Sequence, residues 1–232
     1  MTRLIVIGCV VASMSIAEPS YGGGIVAKLP EDGTWATYQI AALKSAGADT
    51  PDVGFGTLRI SLVGTSIEDG QRCRWIELKR EEPGRLVIQK ILVPEKHIKA
   101  GGDILGHVVR GWRRVEDNQP RELAKDELDR RLFLYFPGTL KDVEDLKAEI
   151  LDCELGQLEC VGTSGTADCL FEDRKCVGEF IARAHDKAAF GVVQWQAALT
   201  WTGLSDRVRN FGCVMTLIDQ GDDAQTELPG HN

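Results

Sequence analysis

The sequence predicts an α+β domain: a strongly curved antiparallel β-sheet, an incomplete barrel, with two inserted helices packed on its concave side. Three observations lead there. Arg72 to Val93 (RCRWIELKREEPGRLVIQKILV) sets two runs rich in branched and aromatic residues around the turn sequence EEPG, a strong hairpin signal. Phe190 to Trp201 (FGVVQWQAALTW) places Val193, Trp195, Ala197, Leu199 and Trp201 on one parity, which makes a long apolar strand face. Between these stretches, residues 121–136 and 139–151 carry apolar residues at helical spacing.

Taken in order, the chain begins with a basic MTR, an apolar run from Leu4 to Val11, and the small-x-small triplet Ser15-Ile16-Ala17. Residues 1–17 read as a signal peptide, since the apolar run is too short to span a bilayer. The expectation is export to the periplasm or the extracellular space, with no stable membrane span after cleavage. Residues 18–232 then form one disulfide-stabilised, β-rich domain. Residues 18–30, with Gly22-Gly23-Gly24, read as a flexible leader. After the Asp32-Gly33 turn, Trp35 to Leu43 is the first strand. Residues 44–56 form a loop containing Gly and Pro, and Thr57 to Thr65 alternates as strand two. The hairpin follows and stops at Pro94. Ile104 to Val109 is either a strand or a short helical turn.

The first helix runs over 121–136, with Leu123, Leu128, Leu132, Tyr135 and Phe136 as its stripe, and ends at Pro137-Gly138. The second runs over 139–151, with Thr139 as cap, Asp142 three residues on, and Val143, Leu146 and Ile150 on its buried side. Glu179 to Ala184, Phe190 to Trp201 and Phe211 to Ile218 read as closing strands. From Asp219 onward the chain is acidic and polar, the pattern of a frayed tail.

Composition limits the function classes. The 232 residues are 43% hydrophobic and carry a formal net charge of -8, enough apolar content for a core and the wrong sign for a nucleic-acid partner. Arg110, Arg113, Arg114 and Arg121 come nearest to a basic patch and read as solvated surface. Removing residues 1–17 removes Cys9 and leaves Cys73, Cys153, Cys160, Cys169, Cys176 and Cys213. An even count in an exported chain reads as up to three disulfides, with the pairing left open. The pairs Cys153/Cys160 and Cys169/Cys176 are spaced too widely for an ordinary structural zinc site, so no metal and no cofactor is expected.

Catalytic patterns are lacking. There is no HExxH, GxSxG or phosphate loop around His97, His107, His185 or His231. The chain reads as a non-enzymatic protein that binds an apolar small molecule, or a lipid-like group, in a cavity between sheet and helices. The candidate lining is Trp75, Leu132, Tyr135, Val193, Trp195 and Trp201. The first alternative is a structural or protein-interaction component of the cell envelope, without a ligand cavity. The second is a hydrolase using a pair of carboxylates.

The order of a hairpin-rich sheet, interrupting helices, AFGVVQWQAALTW and a closing strand resembles the envelope lipoprotein-carrier fold. The phrases LPEDGTWATYQI and RCRWIELK are similar to the openings of uncharacterised exported proteins of planctomycete-type bacteria. The resemblance implies an incomplete barrel closed by helices and an apolar-binding role. It carries over no catalytic residue, and the carriers lack the block from Cys153 to Cys176.

Overall fold

The hairpin forms as its residues dictate. In the computed structural model, which describes residues 24–45, 52–99, 102–171, 174–202 and 208–228, strand β3 (Gln71–Glu82) and strand β4 (Arg85–Pro94) pair antiparallel. Glu82 lies opposite Arg85, with Pro83 and Gly84 between them and Gly84 at φ 70°. Proline followed by a glycine with positive φ is the type II turn pattern.

Nine further strands complete the sheet: β1 (Trp35–Ser45), β2 (Asp52–Glu68), β5 (Arg110–Val115), β6 (Arg121–Glu122), β7 (Lys141–Cys153), β8 (Gly156–Phe171), β9 (Arg174–Ala184), β10 (Val192–Thr202) and β11 (Val208–Gly221). All eleven belong to one sheet in the order β6-β5-β4-β3-β2-β1-β11-β10-β9-β8-β7, and every pairing is antiparallel. The expected strongly curved, incomplete barrel is corrected here. The sheet is neither strongly curled nor closed, because β6 and β7 end it as separate edges.

Alternation divides the strands between two faces. The inner face carries Ala36, Tyr38 and Ile40 of β1, Leu58, Ile60 and Leu62 of β2, Trp195 and Leu199 of β10, and Met215 and Leu217 of β11, all buried. It is covered by helix α2 (Lys125–Leu132) and the turn after it, where Leu128, Leu132, Phe133 and Phe136 join the same core. Helix α1 (Glu95–Lys99) and a 3₁₀ turn at Leu105–His107 complete the connections.

Two close approaches fix this cover. Gly111 on β5 lies directly under Leu128, where a Cβ would come within 2.4 Å of Leu128 Cδ2. Gly24 (φ 69°) faces the Tyr135 carbonyl, where a Cβ would come within 2.0 Å. Next to it, the Ile25 N–H donates to that carbonyl at 2.9 Å and Ile25 and Val26 are buried. The described part of the expected flexible leader is therefore anchored. The expected signal peptide, residues 1–17, lies outside the described residues.

The two helices expected near 121–136 and 139–151 are corrected as well. The first is shorter, because Arg121 and Glu122 pair with β5 and the helix begins only after Ala124. The second is strand β7. Its sequence favours a helix, but pairing with β8 overrides local propensity. Register shifts between Lys141 and Glu144 and between Leu146 and Glu149 break the alternation that would have marked a strand.

One disulfide is present among the described cysteines, Cys169–Cys176, directly opposite each other in the β8–β9 register with Cα atoms 5.2 Å apart. Of the up to three bridges expected, this is the one found among the described residues, where Cys73, Cys153, Cys160 and Cys213 are free thiols. Cys213 belongs to the main core and Cys73 to a separate outer cluster, while Cys153 faces Gly156 and Cys160 faces Glu149 across the β7–β8 pair. Burial pushes the Cys213 thiol up to about 11 and raises those of Cys73 and Cys160, which disfavours the reactive thiolate.

Because Leu132 is fully buried in the cover of the inner face, Leu132→Ala should destabilise the protein by about 2–5 kcal/mol. Urea unfolding followed by far-UV circular dichroism would measure this; a change within error would contradict the assigned packing.

Candidate functional site

The six expected lining residues do not share a cavity. Leu132, Val193 and Trp195 are buried in the packed core, and the Trp195 indole N–H donates to the Leu134 carbonyl at 2.8 Å. Trp201 lines a cleft of about 880 Å³ with Phe133, Pro137 and Val177, near the Cys169–Cys176 bridge. Tyr135 lines a different, arginine-rich cleft of about 420 Å³. Trp75 lies on the outer face in a small cluster with Cys73 and Leu92. Strand parity and helical spacing pointed to burial of these residues; neither showed that they were buried in separate places.

The histidines also take structural positions. His97 and His107 stack on each other with ring centroids 3.5 Å apart. His185 Nδ1 accepts the Lys187 N–H at 3.1 Å, and His231 lies outside the described residues. Among the described residues, no group of three or more His, Cys, Asp or Glu is placed to hold a metal. No helix among them is long and apolar enough to cross a membrane.

The outer face has two halves of different character. The half over β3, β4 and β5 carries a buried charged pair beside the Trp75 cluster, and the chain end covers that pair. Glu77 and Lys90 are direct cross-strand partners, only 4% and 1% exposed. The chain end beyond β11 lies over them. Thr226 Oγ1 accepts from Lys90 Nζ at 2.9 Å and lies 2.9 Å from Glu77 Oε2 and 2.6 Å from the Leu228 carbonyl, so its hydroxyl sits between the two charges. The Glu77 carboxylate also accepts the N–H groups of Glu227 and Leu228 at 3.0 and 3.2 Å. Lys90 reaches the Leu228 carbonyl at 3.1 Å and sits 5.0 Å from the Trp75 ring centroid. Burial pulls the Lys90 ammonium below its ordinary range, with Glu77 opposing.

Lys79 and Arg114 hold Glu227 from either side, at 2.9 Å and 3.6 Å. The tail expected to fray is thus docked as far as Leu228, which is itself buried. A sequence signal existed in the pairing of Glu77 and Lys90 at matched hairpin positions, but nothing in the sequence linked that pair to residues 226–228.

The other half, over β2, β1, β11, β10 and β9, is left uncovered by the described residues and is apolar at one end, with Gln39, Arg59, Gln194 and Thr216 toward the other. Register aligns Phe55, Ala41, Val214, Gln196 and Ile181 in one row and Val53, Leu43, Gly212, Ala198 and Glu179 in the next. Phe55 is 61% exposed, and Val53, Leu43 and Val214 are exposed beside it. A hollow of about 390 Å³ lies among them, lined by Gly212 and Ala198 with walls from Leu43, Val53, Val214 and Ile181.

The four arginines read as a possible basic patch separate between the faces. Arg113 and Arg121 pair across β5 and β6 on the inner side. Arg114 bonds the tail, and Arg110 pairs with Glu68. Arg121 grips Glu127 of α2 through two hydrogen bonds, at 2.6 and 2.9 Å.

No family model matches the chain, and no curated protein matches it. Among solved structures it is similar to a proposed lipoprotein of Parabacteroides distasonis, at 7% identity and TM-score 0.37, over 86% of this chain and 99% of that one. A proposed exported protein with a YmcC-like fold from Bacteroides fragilis gives 8% and 0.35, over 84% and 98%. A DUF1329 family protein from Desulfovibrio piger gives 8% and 0.30, over 84% and 88%. Likenesses this distant carry no argument about function. The expected resemblance to the envelope lipoprotein carriers and to planctomycete-type exported proteins is corrected: the likenesses found are remote, and the open sheet is not a strongly curved, incomplete barrel.

Two tests follow from this geometry. Thr226→Val should leave Glu77 and Lys90 without their bridging hydroxyl, at a cost of about 1–2 kcal/mol. Hydrogen exchange should then accelerate at the Glu227 and Leu228 amides and stay unchanged in β10; unaltered tail protection would contradict the bridge. The second concerns Glu127, whose carboxyl is held at about 2, chiefly by the Arg121 hydrogen bonds. A depressed carboxyl contributes stability above its unfolded-state value and loses it as pH falls toward the folded value. Carboxyl NMR should therefore place the Glu127 midpoint near pH 2, and Arg121→Ala should move it upward.

Proposed function

We propose that this chain is an exported, non-enzymatic interaction protein of the cell envelope that self-associates through the apolar half of its outer sheet face. The observation that carries the reading is the double row from Phe55 to Val214 and from Val53 to Ala198, which no described residue covers. Contiguous apolar rows left open to water mark contact surfaces, since isolated exposed apolar residues are common and clustered ones are not. The leader sequence supports export. The scattering of the expected lining residues weakens the apolar-carrier reading relative to this one.

The occupant that fits is a second copy of the same chain. Phe55 projects from β2 beside a hollow floored by Gly212 and Ala198. Knob and hollow lie on the same surface, so a two-fold axis lets each copy fill the other's hollow. Two antiparallel sheets stacked face to face at about 10 Å would bury both rows.

Size-exclusion chromatography with light scattering should show a dimer for the wild-type chain. Phe55→Asp should give a monomer with an unchanged circular-dichroism spectrum. Ile67→Asp, at an exposed position on the far end of β2, should remain dimeric. A monomeric wild type, or a Phe55→Asp dimer, would overturn the proposal.

A further inference from the structure

The inner face holds a concentration of positive charge that neither the fold nor the proposed association uses. Where the β3–β4 hairpin end meets the C-terminal turn of α2, a cleft of about 420 Å³ is lined by Arg80, Arg85, Arg113, Arg130 and Arg131 and by a single carboxylate, Glu82. The whole chain carries a formal net charge of -8, so the cleft opposes the sign of the molecule around it.

The register explains how the sequence gathers these groups. Arg80 lies opposite Val87, Glu82 opposite Arg85, and Gln89 opposite Arg113, all on the inner side of β3, β4 and β5. Helix α2 adds Arg130 and Arg131 from its last turn, where positive charge suits the helix dipole. The nearby carboxylates are already engaged. Glu82 pairs with Arg80, and Asp126 pairs with Arg130 at 2.8 Å. Glu127 accepts from Arg131 at 3.5 Å while Arg121 holds both of its oxygens. Among the described residues, no carboxylate lies at ion-pair distance from Arg85 or Arg113. Arg113 is half-buried, and its charged form is disfavoured by burial and by Arg131, Arg85 and Arg121 around it.

We propose that this cleft binds a phosphate-bearing anion, with Arg85 and Arg113 as its principal contacts and Arg80, Arg130 and Arg131 around them. Guanidinium forks match phosphate oxygens two at a time. Several converging arginines select a multiply charged group over a single carboxylate. The cleft volume falls in the range of small-molecule sites, so it has room for more than one phosphate. Val87 and Leu134 form apolar wall, and Gln89 and Tyr135 add neutral polar groups, a lining that suits a phosphate ester. The group is either part of a soluble molecule or the headgroup of a lipid.

The test uses the full chain. Calorimetric titration with sodium pyrophosphate at low ionic strength should give a Kd between about 10 μM and 1 mM. Arg85→Gln and Arg113→Gln should each weaken binding by about tenfold or more, the loss of one charge-assisted contact. Arg85 is exposed, so its variant should fold normally; Arg72→Gln, outside the cleft, serves as the control. Sedimentation with phosphatidylcholine vesicles containing phosphatidylglycerol forms the second arm. Vesicle binding that depends on Arg85 and Arg113 assigns the phosphate to a lipid headgroup, and pyrophosphate binding alone assigns it to a soluble ester. Absence of both, or binding that Arg85→Gln and Arg113→Gln leave unchanged, overturns the proposal.

Discussion

The inner face of the sheet must be covered, and a short piece of chain does it. Leu128, Leu132, Phe133 and Phe136 are packed into the core that β1, β2, β10 and β11 build from the other side. An eight-residue helix has little stability by itself. It is held in place by what it buries, by Gly111 giving Leu128 room, and by the carbonyls of Leu134 and Tyr135, which accept from Trp195 and Ile25. That cover also sets where the clefts fall. The arginine cleft opens at its hairpin side and the Trp201 cleft at its β8–β10 side.

The outer face faces the same demand and meets it over only one half. Glu77 and Lys90 face each other across the hairpin, and burying both charges is costly unless their remaining hydrogen-bonding groups are satisfied. The chain end supplies the partners: a hydroxyl, backbone N–H groups and a carbonyl. The neighbouring apolar half needs no hydrogen bonds and has no segment of the described chain over it. Burial of that half by another surface would lower the free energy through the hydrophobic effect alone. The difference between the halves is therefore one between polar satisfaction within one chain and the apolar contact between chains proposed above.

The edges of the sheet are unequal too. Edge strand β7 has no buried residue, and its charges, Lys141, Asp142, Glu144, Asp145, Lys147 and Glu149, discourage strand addition. The other edge, β6, is two residues long and is tied to α2 through Arg121 and Glu127. Association through the face thus fits this sheet better than association through its edges.

By itself the sequence determined the local pairings. The Pro83-Gly84 turn and the alternation of β4 and β10 were legible because each depends only on neighbours along the strand. So were the burial of Trp195 and Trp201 and the scarcity of catalytic motifs. Tertiary structure decided the rest. It turned 141–153 from a helical pattern into a strand, since bulges hid the alternation and β8 supplied the hydrogen bonds. It left four cysteines unpaired, with Cys73 in the outer cluster and Cys153, Cys160 and Cys213 at separate register positions against the main core. It docked the tail on Glu77 and Lys90, and it gathered arginines from β3, β4, β5 and α2 into one cleft. Each of these outcomes joins residues distant along the chain, and such contacts leave no periodicity for the sequence alone to display.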